Sequence, residues 1–199
     1  MIGPILFGTV LLALSSLQYD FMLGIGWRPL EDPAVAWPSG LALGPYGPLQ
    51  VANFVVSGLL LVLFAVGLHL GMTGKYGSPY GTGFLVVAGV SMALMGFDTD
   101  PIGRVGPRSL HGTIHDVAFV IFVFAFLATL FLLWRRLMAD PLWRNHARYT
   151  LATGVLAIML LSLPGVAYYL FIAVLLAWIE VTALRLWRLH WVSKAGPAR

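Results

Sequence analysis

Apolar residues run along this chain in long continuous stretches. Six such stretches occur, at residues 3–21, 51–72, 80–97, 113–133, 149–163 and 166–186. Each is close to the roughly 20 residues that an α-helix needs to cross a hydrocarbon layer, although the fifth is short. Glycine and proline are frequent between the stretches, and Pro164-Gly165 separates the last two. The pattern predicts an all-α fold: a polytopic membrane bundle of six transmembrane helices, forming one domain over residues 1–199.

The composition favours the same class of protein. Hydrophobic residues make up 59% of the chain and charged residues 10%, whereas a soluble domain carries about 25% charged residues. The absence of cysteine excludes disulfides, thiolate metal sites and attached c-type haem. The basic C-terminal segment carries Trp187 and Trp191 and suits anionic headgroups. We therefore expect membrane lipids as partners, with other membrane subunits as a further possibility, and no nucleic acid.

The distribution of charge predicts the orientation. In a six-span chain, nine of the twelve Lys and Arg residues fall on one side, namely Lys75, Arg135, Arg136, Arg144, Arg148, Arg185, Arg188, Lys194 and Arg199. The other side carries three cations and six acids, among them Glu31 and Asp32. Basic loops face the cytoplasm. Both termini are therefore expected to be cytoplasmic, in a multi-pass protein of the inner (cytoplasmic) membrane.

Polar residues that could carry chemistry concentrate on the predicted outer side. His111 and His115 are four residues apart and would share one face of a helix for which Ser109 is the N-cap. We expect the long, proline-rich first connector to cover them. The candidate polar site comprises Asp20, Asp98, Asp100, His111, His115 and Asp116.

Two interpretations of this cluster stay open. Two imidazoles at this spacing can bind one transition metal ion, and a catalytic zinc needs a third protein ligand. His111, His115 and Asp100 are therefore candidate ligands for zinc or another divalent metal. Alternatively, these side chains form hydrogen bonds with loop backbone and helix termini. Haem is not expected, since two histidines on one helix cannot ligate opposite faces of one ring.

A second polar pair is predicted within the membrane. Glu180 is the deepest acidic residue, and His69 lies at the cytoplasmic end of the second stretch. We expect the two to pair, with extension of Glu180 toward Arg185 as the alternative. A proton relay is less favoured because no second relay residue is evident.

Several of these residues form a pattern that resembles a known family. The chain is similar to the bacterial and archaeal membrane family known as domain of unknown function nine-nine-eight. The resemblance is carried by Trp37 to Pro45, Asn53-Phe54, Gly58, Phe97, Asp100-Pro101, Leu110-His111-Gly112 and His115. It implies a helical membrane protein and no particular activity. A more distant analogy is to alkaline ceramidases and adiponectin receptors, seven-helix membrane hydrolases with three zinc-binding histidines.

Three functions therefore compete. The first is binding of a lipid or another amphiphile in an outward-facing polar pocket, or service as an accessory subunit of a membrane complex. The second is a metal-dependent membrane hydrolase in which metal-bound water is the nucleophile and an aspartate is the base. The third is a small-solute transporter, although discontinuous helices in repeated halves are not evident.

Reporter fusions test the orientation. Fusions after Lys75, after Arg144 and at the C-terminus should report a cytoplasmic position, and fusions within 32–45 or 102–107 an external one. A cytoplasmic signal from either of the latter ranges would contradict the six-span arrangement.

Overall fold

The fold of the chain is given by a computed structural model that describes residues 2–28, 37–72, 78–101, 104–163 and 166–195. These residues form seven α-helices and one 3₁₀ turn, without a β-strand among them, so the all-α prediction is confirmed. In chain order, the elements are α1 (Ile2–Leu17), α2 (Tyr19–Gly24), the 3₁₀ turn (Pro38–Leu43), α3 (Gly47–Gly71), α4 (Pro79–Leu94), α5 (Leu110–Leu137), α6 (Arg144–Leu161) and α7 (Val166–Ala195).

The described helices differ in their capacity to cross a bilayer. By length and composition, α3, α5 and α7 are long and apolar enough to span one, whereas α1 and α4 are apolar but have only 16 residues each. The chain therefore has the helices of a membrane protein, while the count of six crossings and the cytoplasmic termini stay predictions. Some residues used for the orientation lie outside the described residues, namely Glu31, Asp32, Lys75 and Arg199.

The first apolar stretch is not one helix, in contrast to the prediction for residues 3–21. Gln18 separates α1 from α2 and is buried. Its Nε2 donates to the Leu41 carbonyl at 3.1 Å, and its Oε1 accepts from the Tyr46 backbone N–H at 3.0 Å. A buried amide needs such partners. The interruption at Gln18 therefore fixes the 3₁₀ turn and the start of α3 against the end of α1.

Serine caps set the starts of two helices. Ser78 Oγ accepts from Gly81 N at 3.1 Å at the start of α4, and Ser109 Oγ accepts from Gly112 N at 2.9 Å at the start of α5. The Ser109 cap agrees with the sequence prediction. Because α5 extends to Leu137, it is about one turn longer at each end than the predicted apolar stretch.

The helices α3, α4 and α5 pack side by side, and α1 and α7 lie against α3. Between α3 and α4 the backbones approach closely at two glycines. A Cβ added at Gly58 would lie 2.6 Å from the Gly89 carbonyl oxygen, and one added at Gly89 would lie 2.9 Å from the Gly58 carbonyl oxygen. Small residues permit this kind of approach between membrane helices. Consequently little space is left between α3 and α4.

The close approach yields a stability prediction. Gly58→Ala should destabilise the protein by about 1–3 kcal/mol, because the new methyl group overlaps the backbone of α4. Gly67→Ala on the same helix is the matched control. Nothing lies within 4 Å of its added Cβ, so it should be neutral or stabilising by up to about 1 kcal/mol. Thermal unfolding of both purified variants measures the difference, and equal loss of stability would contradict the packing argument.

Candidate functional site

A cavity of about 320 Å³ lies at one end of the bundle, among α1, the 3₁₀ turn, α3, α4, α5 and α7. This is the end at which α3, α5 and α7 begin, and we call it the site end. Most of the lining is apolar, including Phe54, Leu61, Phe122, Phe126, Phe171, Leu175 and Ile179. The polar lining residues are Ser39, Gln50, Thr99, Arg108, His115 and Asp116. All six lie in or near the connectors and first turns of the site end.

His115 is held in place by the end of the preceding helix. Its Nδ1 lies 2.9 Å from both the Met95 and the Phe97 carbonyl oxygens, at the C-terminus of α4. Because both partners can only accept, Nδ1 carries the proton. The ring also packs edge-on against Phe54, at 6.0 Å between centroids. No described residue forms a hydrogen bond with Nε2, so the uncharged ring keeps an available lone pair there.

Asp100 lies across the start of α5. Its Oδ2 accepts from the Ser109 backbone N–H at 2.9 Å, and its Oδ1 lies 3.2 Å from Arg104 Nη1. The hydrogen bonds from Ser109, supported by Arg104 and Arg108, hold the pKa of this carboxyl below its usual value. Gly112 allows the arrangement, since a Cβ there would lie 2.6 Å from Asp100 Cγ. The Asp100 carboxyl group therefore needs a glycine at position 112 to lie at the N-terminus of α5.

The charged groups at the mouth of the cavity occur as pairs. Arg108 Nη1 contacts Asp116 Oδ2, with the arginine side chain 64% and the aspartate 42% exposed. Arg104 pairs with Asp100, as above. Each of these two arginines is therefore matched by one carboxylate, and the pair that lines the cavity, Arg108 and Asp116, carries no net charge.

Aromatic side chains narrow the mouth. Trp37 packs edge-on against Tyr168 at 4.4 Å between centroids, and Phe119 lies 6.0 Å from each of them. Trp37 itself is 51% exposed. The first connector thus contributes to the cover of the cavity through Trp37, Pro38 and Ser39, although residues 29–36 lie outside the described part.

Sequence reasoning missed a buried polar row on α3. Gln50, Asn53 and Ser57 are 0%, 4% and 5% exposed. Asn53 Nδ2 donates to the Phe7 carbonyl at 3.3 Å and to Gln50 Oε1 at 3.4 Å, and Ser57 Oγ donates to Asn53 Oδ1 at 3.4 Å. Their spacing of three and four residues within an apolar stretch was the available signal, because polar residues inside membrane helices mark functional positions.

The other predicted site residues have separate surroundings. His111 is exposed and contacts Phe97 edge-on at 5.3 Å. Asp20, on α2, and Asp98, in the α4–α5 connector, are exposed and do not line the cavity. Among the described residues, no group of three His, Asp or Glu side chains could hold a metal ion. Metal binding by His111, His115 and Asp100 therefore gains no support from the fold and stays a prediction.

The predicted membrane pair, His69 and Glu180, lies on α3 and α7. His69 Nδ1 forms a hydrogen bond of 3.1 Å with Thr82 Oγ1, between α3 and α4. Glu180 is half-buried on α7, one residue after the cavity-lining Ile179. The pairing of the two stays a prediction.

The cap formed by Asp100 yields a pH prediction. Asp100→Asn should lower the thermal midpoint near neutral pH. A carboxylate with a depressed folded-state pKa stabilises the fold above its unfolded-state value of about 3.9, and this contribution is lost as the pH falls through the folded-state pKa. The difference between parent and variant should therefore narrow below about pH 4.

Asp98→Asn is the control for that experiment, since the structure gives Asp98 no hydrogen bond or ion pair with any described residue. The thermal midpoint of Asp98→Asn should equal that of the parent protein at every pH. If Asp98→Asn lost as much stability as Asp100→Asn, the effect would come from net charge and not from the cap.

Comparison with known proteins identifies the family to which the chain belongs. Residues 7–186 match the model of a family described as protein of unknown function (DUF998). No curated protein and no solved structure matches the chain. The family match covers all seven helices in whole or in part and confirms the resemblance drawn from the sequence. The chain therefore belongs to DUF998, a family whose function is unknown.

Proposed function

We propose that this membrane protein binds one hydrocarbon chain of an amphiphile in the cavity at its site end, with the polar head beside His115. The observation that carries the proposal is the division of the cavity lining. Polar residues come from the connectors and the first two turns of the helices, whereas the lining deeper along the helices is apolar. A site with this division complements a molecule that has one polar end and one apolar end.

The dimensions of the cavity favour a ligand with a single hydrocarbon chain. Gln50 and Leu61 both line the cavity and lie about 17 Å apart along α3 at 1.5 Å per residue. A volume of about 320 Å³ is at the lower end of the range of about 300–1,000 Å³ for small-molecule sites, so it favours one chain over two.

The aromatic residues favour the same ligand. Phe122 and Phe126 on α5 and Phe171 on α7 line the deeper part, and Phe126 packs edge-on against Trp178 at 5.6 Å between centroids. Rings fixed by such packing give a preformed apolar wall, so the ligand loses less free energy to ordering of the site. The partly exposed Trp37 and Tyr168 lie at the mouth, where an amphipathic ring suits the headgroup region.

Binding of twelve-carbon probes to the protein in phosphatidylcholine nanodiscs tests the proposal. The probes are radiolabelled dodecan-1-ol, dodecyl methyl ether and dodecanoate, measured by scintillation proximity. At least one should bind saturably with about one molecule per chain. Leu61→Trp and Leu175→Trp, which place an indole in the cavity, should weaken that binding by about 10- to 100-fold, the equivalent of about 1–3 kcal/mol of overpacking.

Matched controls exist on the same helices. Leu63 on α3 and Leu170 on α7 are 66% and 52% exposed, and neither lines the cavity. Leu63→Trp and Leu170→Trp should therefore bind the probes as the parent does. Absence of saturable binding for all three probes, or equal weakening by the exposed and the buried tryptophans, would refute the proposed function.

A further inference from the structure

We infer that His115 Nε2 is the atom that recognises the ligand head, and that it accepts a hydrogen bond from the hydroxyl group of an uncharged amphiphile. The ligand class is therefore a single-chain alcohol, such as a long-chain alkanol, a prenol or a monoacylglycerol. The inference rests on the proposed function and specifies which chemistry the polar end of the cavity selects.

The two ring nitrogens of His115 have different roles. Nδ1–H is committed to the Met95 and Phe97 carbonyl oxygens, both at 2.9 Å. Those bonds fix the ring orientation and the tautomer, so Nε2 of the uncharged ring is an acceptor. His115 is only 5% exposed and lines the cavity. A ligand that brings an O–H donor to Nε2 satisfies an acceptor that no described residue satisfies.

The charges around the cavity oppose an anionic head. Arg108 is paired with Asp116, and Arg104 with Asp100. Arg108 and Asp116 both line the cavity, so a carboxylate or phosphate that entered beside His115 would add a second negative charge close to Asp116, and like charges at short range are unfavourable. A hydroxyl group avoids this penalty, since it is polar but carries no charge.

Gln50 also favours a hydroxyl group as the head of the ligand. Its side chain is fully buried and lines the cavity one helical turn before Phe54, which contacts the His115 ring. Gln50 Oε1 accepts from Asn53, whereas Nε2 has no hydrogen-bond partner. A buried donor without an acceptor is unfavourable. A hydroxyl oxygen, which accepts as well as donates, could satisfy Nε2 after a small rotation of the amide.

The test compares an alcohol with its methyl ether, which has the same chain and oxygen but no O–H donor. The parent should bind dodecan-1-ol about tenfold more tightly than dodecyl methyl ether. It should also bind dodecan-1-ol more tightly than dodecanoate. Nanodiscs without protein measure the non-specific partition of each probe, which is subtracted.

His115→Asn separates recognition from structure. The asparagine Nδ2 can take the place of Nδ1–H against the α4 carbonyls, but nothing replaces Nε2. This variant should bind the alcohol and the ether equally, with the affinity that the parent shows for the ether. The ratio between the two ligands is the decisive quantity, because a general loss of folding would weaken both and leave the ratio unchanged.

The outcomes distinguish the inference from the proposed function. Saturable binding without preference for the alcohol, a persistent preference in His115→Asn, or tighter binding of dodecanoate would each overturn the assignment of Nε2 while leaving chain binding in place. Absence of saturable binding for all of the probes would refute the proposed function and this inference with it.

Discussion

The hydrogen bonds from His115 Nδ1 to the Met95 and Phe97 carbonyl oxygens hold the end of α4 against the first turns of α5. Met95 and Phe97 follow Leu94, the last residue of α4, and in an apolar environment each unsatisfied carbonyl is costly. The imidazole satisfies both carbonyls at the start of the α4–α5 connector. Asp100 then reaches back to the Ser109 N–H at the start of α5. One histidine and one aspartate thus fix the two ends of the α4–α5 connector, and the remaining ring nitrogen is the one available to the cavity.

The position of the cavity follows from the packing of the other helices. Gly58 and Gly89 bring α3 and α4 into backbone contact, which leaves no room for a ligand between them. Space remains on the face of these helices that α1 and α7 cover, where larger aromatic side chains such as Phe7 and Phe171 line the cavity. Gln18 fixes the 3₁₀ turn at the same end of the bundle. The small residues therefore give tight packing on one side of α3. The aromatic residues leave a covered cavity on another side.

Much of this architecture could be predicted from the sequence, because long apolar runs and serine caps are local signals. The all-α fold and the start of α5 after Ser109 belong to this category. The break at Gln18 could not be predicted, since it depends on contacts with Leu41 and Tyr46, more than 20 residues away. Nor could the different surroundings of His111 and His115. Their spacing places them on one helix face, but His111 lies in the first turn, where it stays exposed, whereas His115 reaches the carbonyls of α4.

The length of α4 has a consequence for the lipids that surround the protein. Sixteen residues measure about 24 Å, some 6 Å less than the roughly 30 Å hydrocarbon thickness of a typical bilayer. The neighbouring α5, with 28 residues, exceeds that thickness. If both cross the membrane, the lipids beside α4 must thin while those beside α5 need not, and such mismatch costs a fraction of a kcal/mol for each ångström. The molecule would then be sensitive to membrane thickness and would favour thinner bilayers on one flank only.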